Sequence, residues 1–170
     1  VQGMSFFTKK EFMLIGLILI FPLATYASAL LISKALGIDL VGARTAPYRD
    51  NAVYFLWPPK NGDFGPRQFA EEALDSLPAN TKLITDYTLW RPLRYMQDIE
   101  HYRKDVEVVY VESLLHDGVG NYMKQQPAGT EIFFATNTPR VYYQLDDVEK
   151  EFDLVRQGIV FKAYKKSAGN

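Results

Sequence analysis

Residues 81–111 read TKLITDYTLWRPLRYMQDIEHYRKDVEVVYV, and this stretch predicts the fold class of the chain. Its two ends, residues 81–85 and 106–111, are short and rich in apolar and β-branched side chains, which is typical of buried strands. Residues 89–101 between them carry apolar side chains at helical spacing. A strand, a helix and a strand within about 30 residues predict a βαβ unit with a right-handed crossover in a parallel sheet.

The sequence on both sides of this unit predicts further elements. Upstream, residues 52–57 (AVYFLW) are short, apolar and aromatic, which favours a buried strand, and residues 64–77 have the spacing of an amphipathic helix. Downstream, we predict a helix over residues 114–125 and a third strand over residues 131–135. Residues 152–164 predict a terminal β-hairpin.

Residues 141–145 are ambiguous and favour either a helix start or a short strand. The whole pattern predicts an α/β fold, in which an N-terminal transmembrane helix precedes a Rossmann-like βαβ sandwich with a C-terminal antiparallel hairpin. We expect three parts: a transmembrane helix with its flanks over residues 1–38, a linker over residues 39–50, and an extracytoplasmic α/β domain over residues 51–166.

The transmembrane prediction depends on residues 12–33 (FMLIGLILIFPLATYASALLIS), which carry no charge. As a helix they would be about 33 Å long, enough to cross the hydrocarbon core of a bilayer. Two alternatives are a signal peptide cleaved after Ala29 and a buried helix of a globular core. Pro22 favours a membrane bundle, where neighbouring helices can satisfy the carbonyl that a proline frees. Lysine and arginine flank the segment on both sides, so charge does not predict its orientation.

Composition excludes several classes of function. The chain has no cysteine, which excludes disulfides, thiolate metal sites and a cysteine nucleophile. Its formal net charge is -1 and its positive charges are dispersed, so no nucleic-acid partner is predicted. His101 and His116 are the only histidines and have no further ligands near them in sequence, so we predict no metal site. Gly118 and Gly120 resemble a dinucleotide loop, but Met123 stands where the third glycine belongs, and we predict no cofactor in this chain.

The best candidate binding residues lie where the predicted parallel strands end. Asp86 follows the first strand and Asn137 follows the third, and ligands of open α/β sheets bind at the carboxyl ends of strands. Tyr87 and Trp90 stand beside Asp86, and an aromatic ring next to an acid suits a sugar, whose apolar face stacks on the ring. The alternatives are that Asp86 caps the following helix and that Asn137 belongs to a turn before Pro139.

The same block resembles a family. Residues 86–106 (DYTLWRPLRYMQDIEHYRKDV) are similar to a pattern of the protein O-mannosyltransferase-like membrane proteins of the GT-C glycosyltransferase type. That pattern has an Asp after a strand, then P-L-W-Y-L-Q, a Glu, and R-P-D-V before another strand. Arg94 and Lys104 depart from it, since the pattern favours Trp and Pro there. The matching residues are Asp86, Pro92, Leu93, Tyr95, Gln97, Glu100, Arg103, Asp105 and Val106.

The resemblance implies that the chain is the C-terminal accessory part of a long polytopic transferase. Val1 is not an initiator methionine, so either the chain is the end of something longer or translation starts at Met4. The implied enzyme would use a polyprenyl-phosphate sugar donor, and its catalytic loop lies outside these residues, so no catalytic residue is assigned. The implied partners are the bilayer, the rest of the transmembrane bundle, and a glycan or protein acceptor. The alternative is a single-span, membrane-anchored α/β binding or sensor module without catalysis.

Overall fold

The structure is a computed structural model that describes residues 8–38 and 46–167. It divides into two compact units, which are described separately: residues 8–38 with 50–62, and residues 46–49 with 63–167.

The first unit is dominated by the apolar helix α1 (Lys9–Leu36). Thr8 begins it with a capping box, in which the Thr8 backbone N–H donates to Glu11 Oε2 at 2.5 Å and the Glu11 N–H donates to Thr8 Oγ1 at 3.4 Å. Gly37 ends the helix in the left-handed conformation, with a φ of 62°. Among the described residues, α1 is the one helix long and apolar enough to cross a membrane, a property that signal sequences share.

The first unit also contains a short helix, α2 (Asn51–Leu56), where the sequence pattern predicts a buried strand over residues 52–57. That prediction is wrong for two reasons. Asp50 caps the segment by accepting from the Val53 N–H at 3.0 Å, which favours helical backbone. None of the helix residues is buried, so their apolar side chains do not belong to the protein core. A short apolar run cannot be assigned to strand or helix by its periodicity alone.

The second unit is a mixed α/β domain. It contains an open five-stranded sheet in the order β2-β1-β3-β5-β4, formed by described residues. β1 lies parallel to both β2 and β3, whereas β5 runs antiparallel to β3 and β4. Its elements in chain order are α3 (Gly65–Ser76), β1 (Lys82–Thr85), α4 (Tyr87–Asp98), β2 (Glu107–Tyr110), α5 (Val119–Lys124), β3 (Ile132–Phe134), α6 (Leu145–Val148), β4 (Phe152–Gln157) and β5 (Val160–Lys165).

The strands cover their two faces with different helices. Leu83 of β1 and Phe133 of β3 pack into a core cluster with α3 and α4. The next residues along each strand, Ile84 and Phe134, pack into a second cluster with α5 and α6. Successive side chains of a strand point to opposite faces, so the sheet is buried on both sides. All four of these side chains are fully buried.

Most of the predicted elements of this unit are confirmed. The strands over residues 81–85, 106–111 and 131–135 are present, and so is the C-terminal hairpin. The single helix predicted over residues 114–125 is wrong. A short 3₁₀ helix, Val111–Leu114, precedes α5, and Gly118 separates the two with a φ of 88° that a continuous helix does not allow.

Two further findings concern residues 141–145 and the extent of the parallel sheet. Residues 141–144 form turns and Leu145 begins α6, so the helix-start alternative applies there. The parallel part of the sheet is limited to three strands.

Candidate functional site

The carboxyl ends of β1, β2 and β3 lie at one edge of the sheet. From β1 the chain adds β2 on one side and β3 on the other. The topological switch point therefore lies between the parallel strands β1 and β3, where open α/β sheets have their ligand crevice. Here Tyr143 occupies that place. Its hydroxyl accepts a hydrogen bond from the Asp86 N–H at 3.0 Å, its ring packs edge-to-face on Phe134 at 5.9 Å, and its side chain is fully buried. The crevice predicted beside Asp86 is therefore filled by the protein itself.

Asp86 has the geometry of a helix cap. Its Oδ1 accepts from the Thr88 N–H at 2.8 Å and from the Leu89 N–H at 3.2 Å, two donors that α4 leaves without a partner in the helix. Only 4% of the residue is exposed. Both observations favour the alternative interpretation of Asp86 as a cap, and a ligand has little access to this carboxylate.

Replacing Asp86 by alanine should lower the free energy of unfolding by about 1 kcal/mol, since two N–H groups of α4 lose their acceptor. The Asp86→Asn variant should remain close to the wild type because asparagine caps helices about as well as aspartate. The measurement is urea unfolding of the full chain in detergent, followed by circular dichroism. Equal midpoints for the wild type and Asp86→Ala would contradict the cap.

Tyr87 and Trp90 belong to a partly exposed group of rings that we call the aromatic cluster: Tyr87, Trp90, Tyr110 and the guanidinium of Arg91. The Trp90 and Tyr110 ring centroids are 5.5 Å apart and those of Tyr87 and Tyr110 are 6.4 Å apart. Arg91 lies 4.7 Å from the Tyr87 centroid and 5.3 Å from that of Trp90, and it donates to the Tyr87 hydroxyl at 3.0 Å. No ion pair links Arg91 to an acid of the described residues.

The aromatic cluster forms where β1 and β2 end and α4 begins. Tyr110 ends β2 opposite Thr85 of β1, and α4 begins directly after β1, which brings the rings together at the carboxyl edge. Sequence reasoning did not include Tyr110 among the binding residues. The signal that points to Tyr110 is the parallel register, which aligns the ends of β1 and β2. The spacing of four residues from Tyr87 to Arg91 places both on one face of a helix.

Asn137 lies elsewhere, in a groove of about 400 Å³ beside the β4–β5 turn. Arg156 and Glu72 line the same groove, and Arg156 donates from Nε to the Gly158 carbonyl at 3.0 Å. The Tyr48 hydroxyl donates to the Glu72 carboxylate, which raises the pKa of Tyr48 above its ordinary value. The lining contains neither Asp86 nor the aromatic cluster, so the four predicted binding residues do not form one site.

The wall of this groove that contains Tyr48 depends on a close approach at Gly65. A Cβ atom on Gly65 would lie 2.4 Å from the Tyr48 carbonyl oxygen, nearer than any side chain can pack. Glycine at the start of α3 is therefore what lets residues 46–49 lie against this helix.

The residues that carry the family resemblance build the connection between α4 and β2. Gln97 donates from Nε2 to the Arg103 and Val106 carbonyls, and Glu100 forms a two-pronged ion pair with Arg67 at 2.6 and 2.9 Å. Arg103 pairs with Asp105 at 2.8 Å and donates to carbonyls at the end of α3.

Pro92 and Tyr95, the remaining members of the motif, occupy α4 itself. Pro92 stands within the helix and is partly buried. Tyr95 is more than half exposed, so its ring is not part of the core.

Comparison with known proteins gives no relative: the chain matches no protein-family model, no curated protein and no solved structure. Among the described residues, no group of three or more histidine, aspartate or glutamate side chains is arranged to hold a metal ion.

Proposed function

We propose that this chain is a membrane-anchored, extracytoplasmic α/β domain that binds glycan, and that it serves as the C-terminal accessory domain of a polytopic GT-C-like glycosyltransferase. The observation that carries the glycan proposal is the aromatic cluster. Tyr87, Trp90 and Tyr110 offer ring faces at the carboxyl ends of β1 and β2. A pyranose has an apolar face that stacks on such rings, while its hydroxyls accept hydrogen bonds from a guanidinium such as that of Arg91.

The transferase part of the proposal is supported by the sequence resemblance. In that family the catalytic region and its polyprenyl-phosphate sugar donor belong to the transmembrane bundle, which would be the partner of this chain. The role of the domain would be to hold an acceptor glycan or glycosylated protein, or to support the bundle. We also propose a Rossmann-like relationship for the domain, supported by the β1–α4–β2 unit and the strand order β2-β1-β3.

The second candidate is a single-span binding or sensor module without catalysis. Its anchor would be α1, the one candidate span among the described residues. Both candidates use the same anchor and the same aromatic cluster, and they differ in whether a transferase bundle is the partner. Co-purification of this domain with a polytopic transferase from the native membrane separates them.

The glycan proposal is tested by binding of a panel of soluble mannose, glucose and galactose oligosaccharides to the full chain in detergent, measured by calorimetry. Trp90→Ala should weaken binding about tenfold, because the stacking of one ring contributes about 1.4 kcal/mol. Tyr110→Ala should weaken it to a similar extent. Asn137→Ala is the matched control, since Asn137 lies in the separate groove and its loss should leave the affinity unchanged.

Two results would contradict the proposal. One is a folded wild type that binds no oligosaccharide of the panel. The other is binding that survives Trp90→Ala and is lost in Asn137→Ala, which would move the site to the groove beside the β4–β5 turn.

A further inference from the structure

The short helix α2 is apolar, and yet none of its residues is buried. Its sequence NAVYFL contains five apolar side chains in six residues, none of which is buried. Tyr54 and Phe55 remain 39% and 50% exposed. Trp57 follows directly and ends the helix. Contiguous exposed apolar side chains of this kind mark a surface that meets a partner or a membrane.

Asp50 links this helix to the end of α1 within the same unit, because it contacts both helices. Lys34 stands in the last turn of α1, and its Nζ lies 3.0 Å from Asp50 Oδ2. Asp50 is the residue that caps α2 through the Val53 N–H. The uncharged stretch of α1 ends one residue before Lys34, so α2 begins at the level where the apolar span ends.

The opposite end of α2 also has the chemistry of a membrane interface. The Lys60 ammonium lies 4.8 Å from the centroid of the Tyr54 ring. It donates to the Tyr54 carbonyl and, at 3.3 Å, to the Val53 carbonyl, which also accepts from the Trp57 N–H at 2.9 Å. Tyrosine and tryptophan concentrate at the headgroup level of bilayers, where a ring meets hydrocarbon and its polar atom meets water.

We propose that α2 and Trp57 lie in the headgroup region of the bilayer, at the C-terminal end of the membrane-spanning helix. This inference rests on the proposed membrane anchoring, and it explains why a segment rich in aromatic side chains is left outside the protein core. The occupant of the surface is lipid, because the surface continues directly from a helix whose apolar length matches a bilayer core. Lys34 and Asp50 pair with one another, so the contact should not require anionic lipid.

Tryptophan fluorescence tests the inference, since Trp57 and Trp90 are the only tryptophans. The full chain with Trp90→Phe is reconstituted in phosphatidylcholine vesicles whose acyl chains carry bromine either near the headgroup or near the bilayer centre. We expect about half of the Trp57 emission to be lost with bromine near the headgroup and less with bromine at the centre, because interfacial side chains lie only about 5–10 Å into this boundary. Equal quenching should be seen when part of the lipid is anionic.

A second reporter separates this inference from the anchoring on which it rests. Ile20→Trp in a chain that also carries Trp57→Phe and Trp90→Phe places one tryptophan in the middle of α1. Quenching of this reporter by the central bromine, with Trp57 unquenched at both depths, would overturn the interfacial helix and leave the anchor standing. An unquenched Ile20→Trp reporter would overturn both. Trp57 shielded from bromine and also from aqueous acrylamide would show that this chain or a second copy covers it, which contradicts the inference.

Discussion

Replacement of Arg103 by alanine is expected to lower the free energy of unfolding by about 3 kcal/mol. The guanidinium donates from Nη1 to the Leu74 carbonyl at 2.6 Å, and from Nη2 to the Leu77 and Pro78 carbonyls at 2.9 and 3.3 Å. The Leu74 carbonyl lies in the last turn of α3, where it also accepts from the Leu77 N–H at 3.4 Å, and the other two carbonyls directly follow the helix. The same side chain pairs with Asp105, and only 23% of it is exposed, so water does not readily replace these bonds.

Urea unfolding of the full chain in detergent, followed by circular dichroism, measures this loss. Arg103→Lys is the matched control: it keeps the charge but has no planar fork, and it should recover less than half of the stability. An unfolding free energy in Arg103→Ala within about 0.5 kcal/mol of the wild type would contradict the role of this side chain, because changes of that size are typical of ordinary surface positions.

The free energy of unfolding measured at low pH tests the role of Arg103 a second time. Its hydrogen bonds lower the pKa of Asp105 below the ordinary value in the folded state. A lowered folded-state pKa stabilises the protein above the unfolded pKa of about 4, and this contribution is lost as the pH falls through the folded pKa. The alanine variant should therefore lose less stability than the wild type on acidification below about pH 4.

Replacement of Gln97 by leucine is expected to cost about 2 kcal/mol, because the Val106 carbonyl loses the Gln97 donor and the Arg103 carbonyl keeps only the Val106 N–H at 3.2 Å. Nε2 of Gln97 donates to the Arg103 carbonyl at 2.8 Å and to the Val106 carbonyl at 2.7 Å, and the residue is only 3% exposed. Leucine has a similar volume, so the substitution removes the donors with little change in packing.

The measurement is the same urea unfolding, with Gln126→Leu as the matched control. Gln126 also donates to one helix carbonyl, that of Tyr122 at 2.9 Å, but it is only partly buried, and its loss should cost no more than about 1 kcal/mol. Equal effects of the two substitutions would show that the amide of Gln97 does not organise the α4–β2 connection.

The sequence predicted the α/β domain well because its core strands have a strong local signal. Residues 131–135, for example, are apolar on both faces, as expected of a strand buried between two layers of helices. Residues 52–57 have the same apolar character but lie outside the core, and no periodicity within six residues separates those two situations. The break in the helix predicted over residues 114–125 depends on Gly118, whose left-handed φ is a choice that glycine permits but does not require.

The candidate site was harder to predict than the fold, because its geometry depends on contacts between distant residues. The position of Asp86 at the carboxyl edge followed from the strand and helix pattern. Its closure by Tyr143 did not, since that contact joins residues 57 positions apart through a loop without a periodic signal. The strand pattern likewise predicts Asn137 beside Asp86, whereas Asn137 lines a groove with Arg156 and the β4–β5 turn.

The most direct test of the glycan proposal is the emission of Trp90 during titration of the full chain with the oligosaccharide panel, in a Trp57→Phe background that leaves Trp90 as the sole tryptophan. We predict a saturable change in emission for at least one oligosaccharide. Tyr110→Ala should lower the affinity for that oligosaccharide about tenfold, because the Tyr110 ring lies 5.5 Å from that of Trp90. Constant Trp90 emission across the whole panel, in a chain that retains its folded circular dichroism spectrum, would contradict glycan binding at the aromatic cluster.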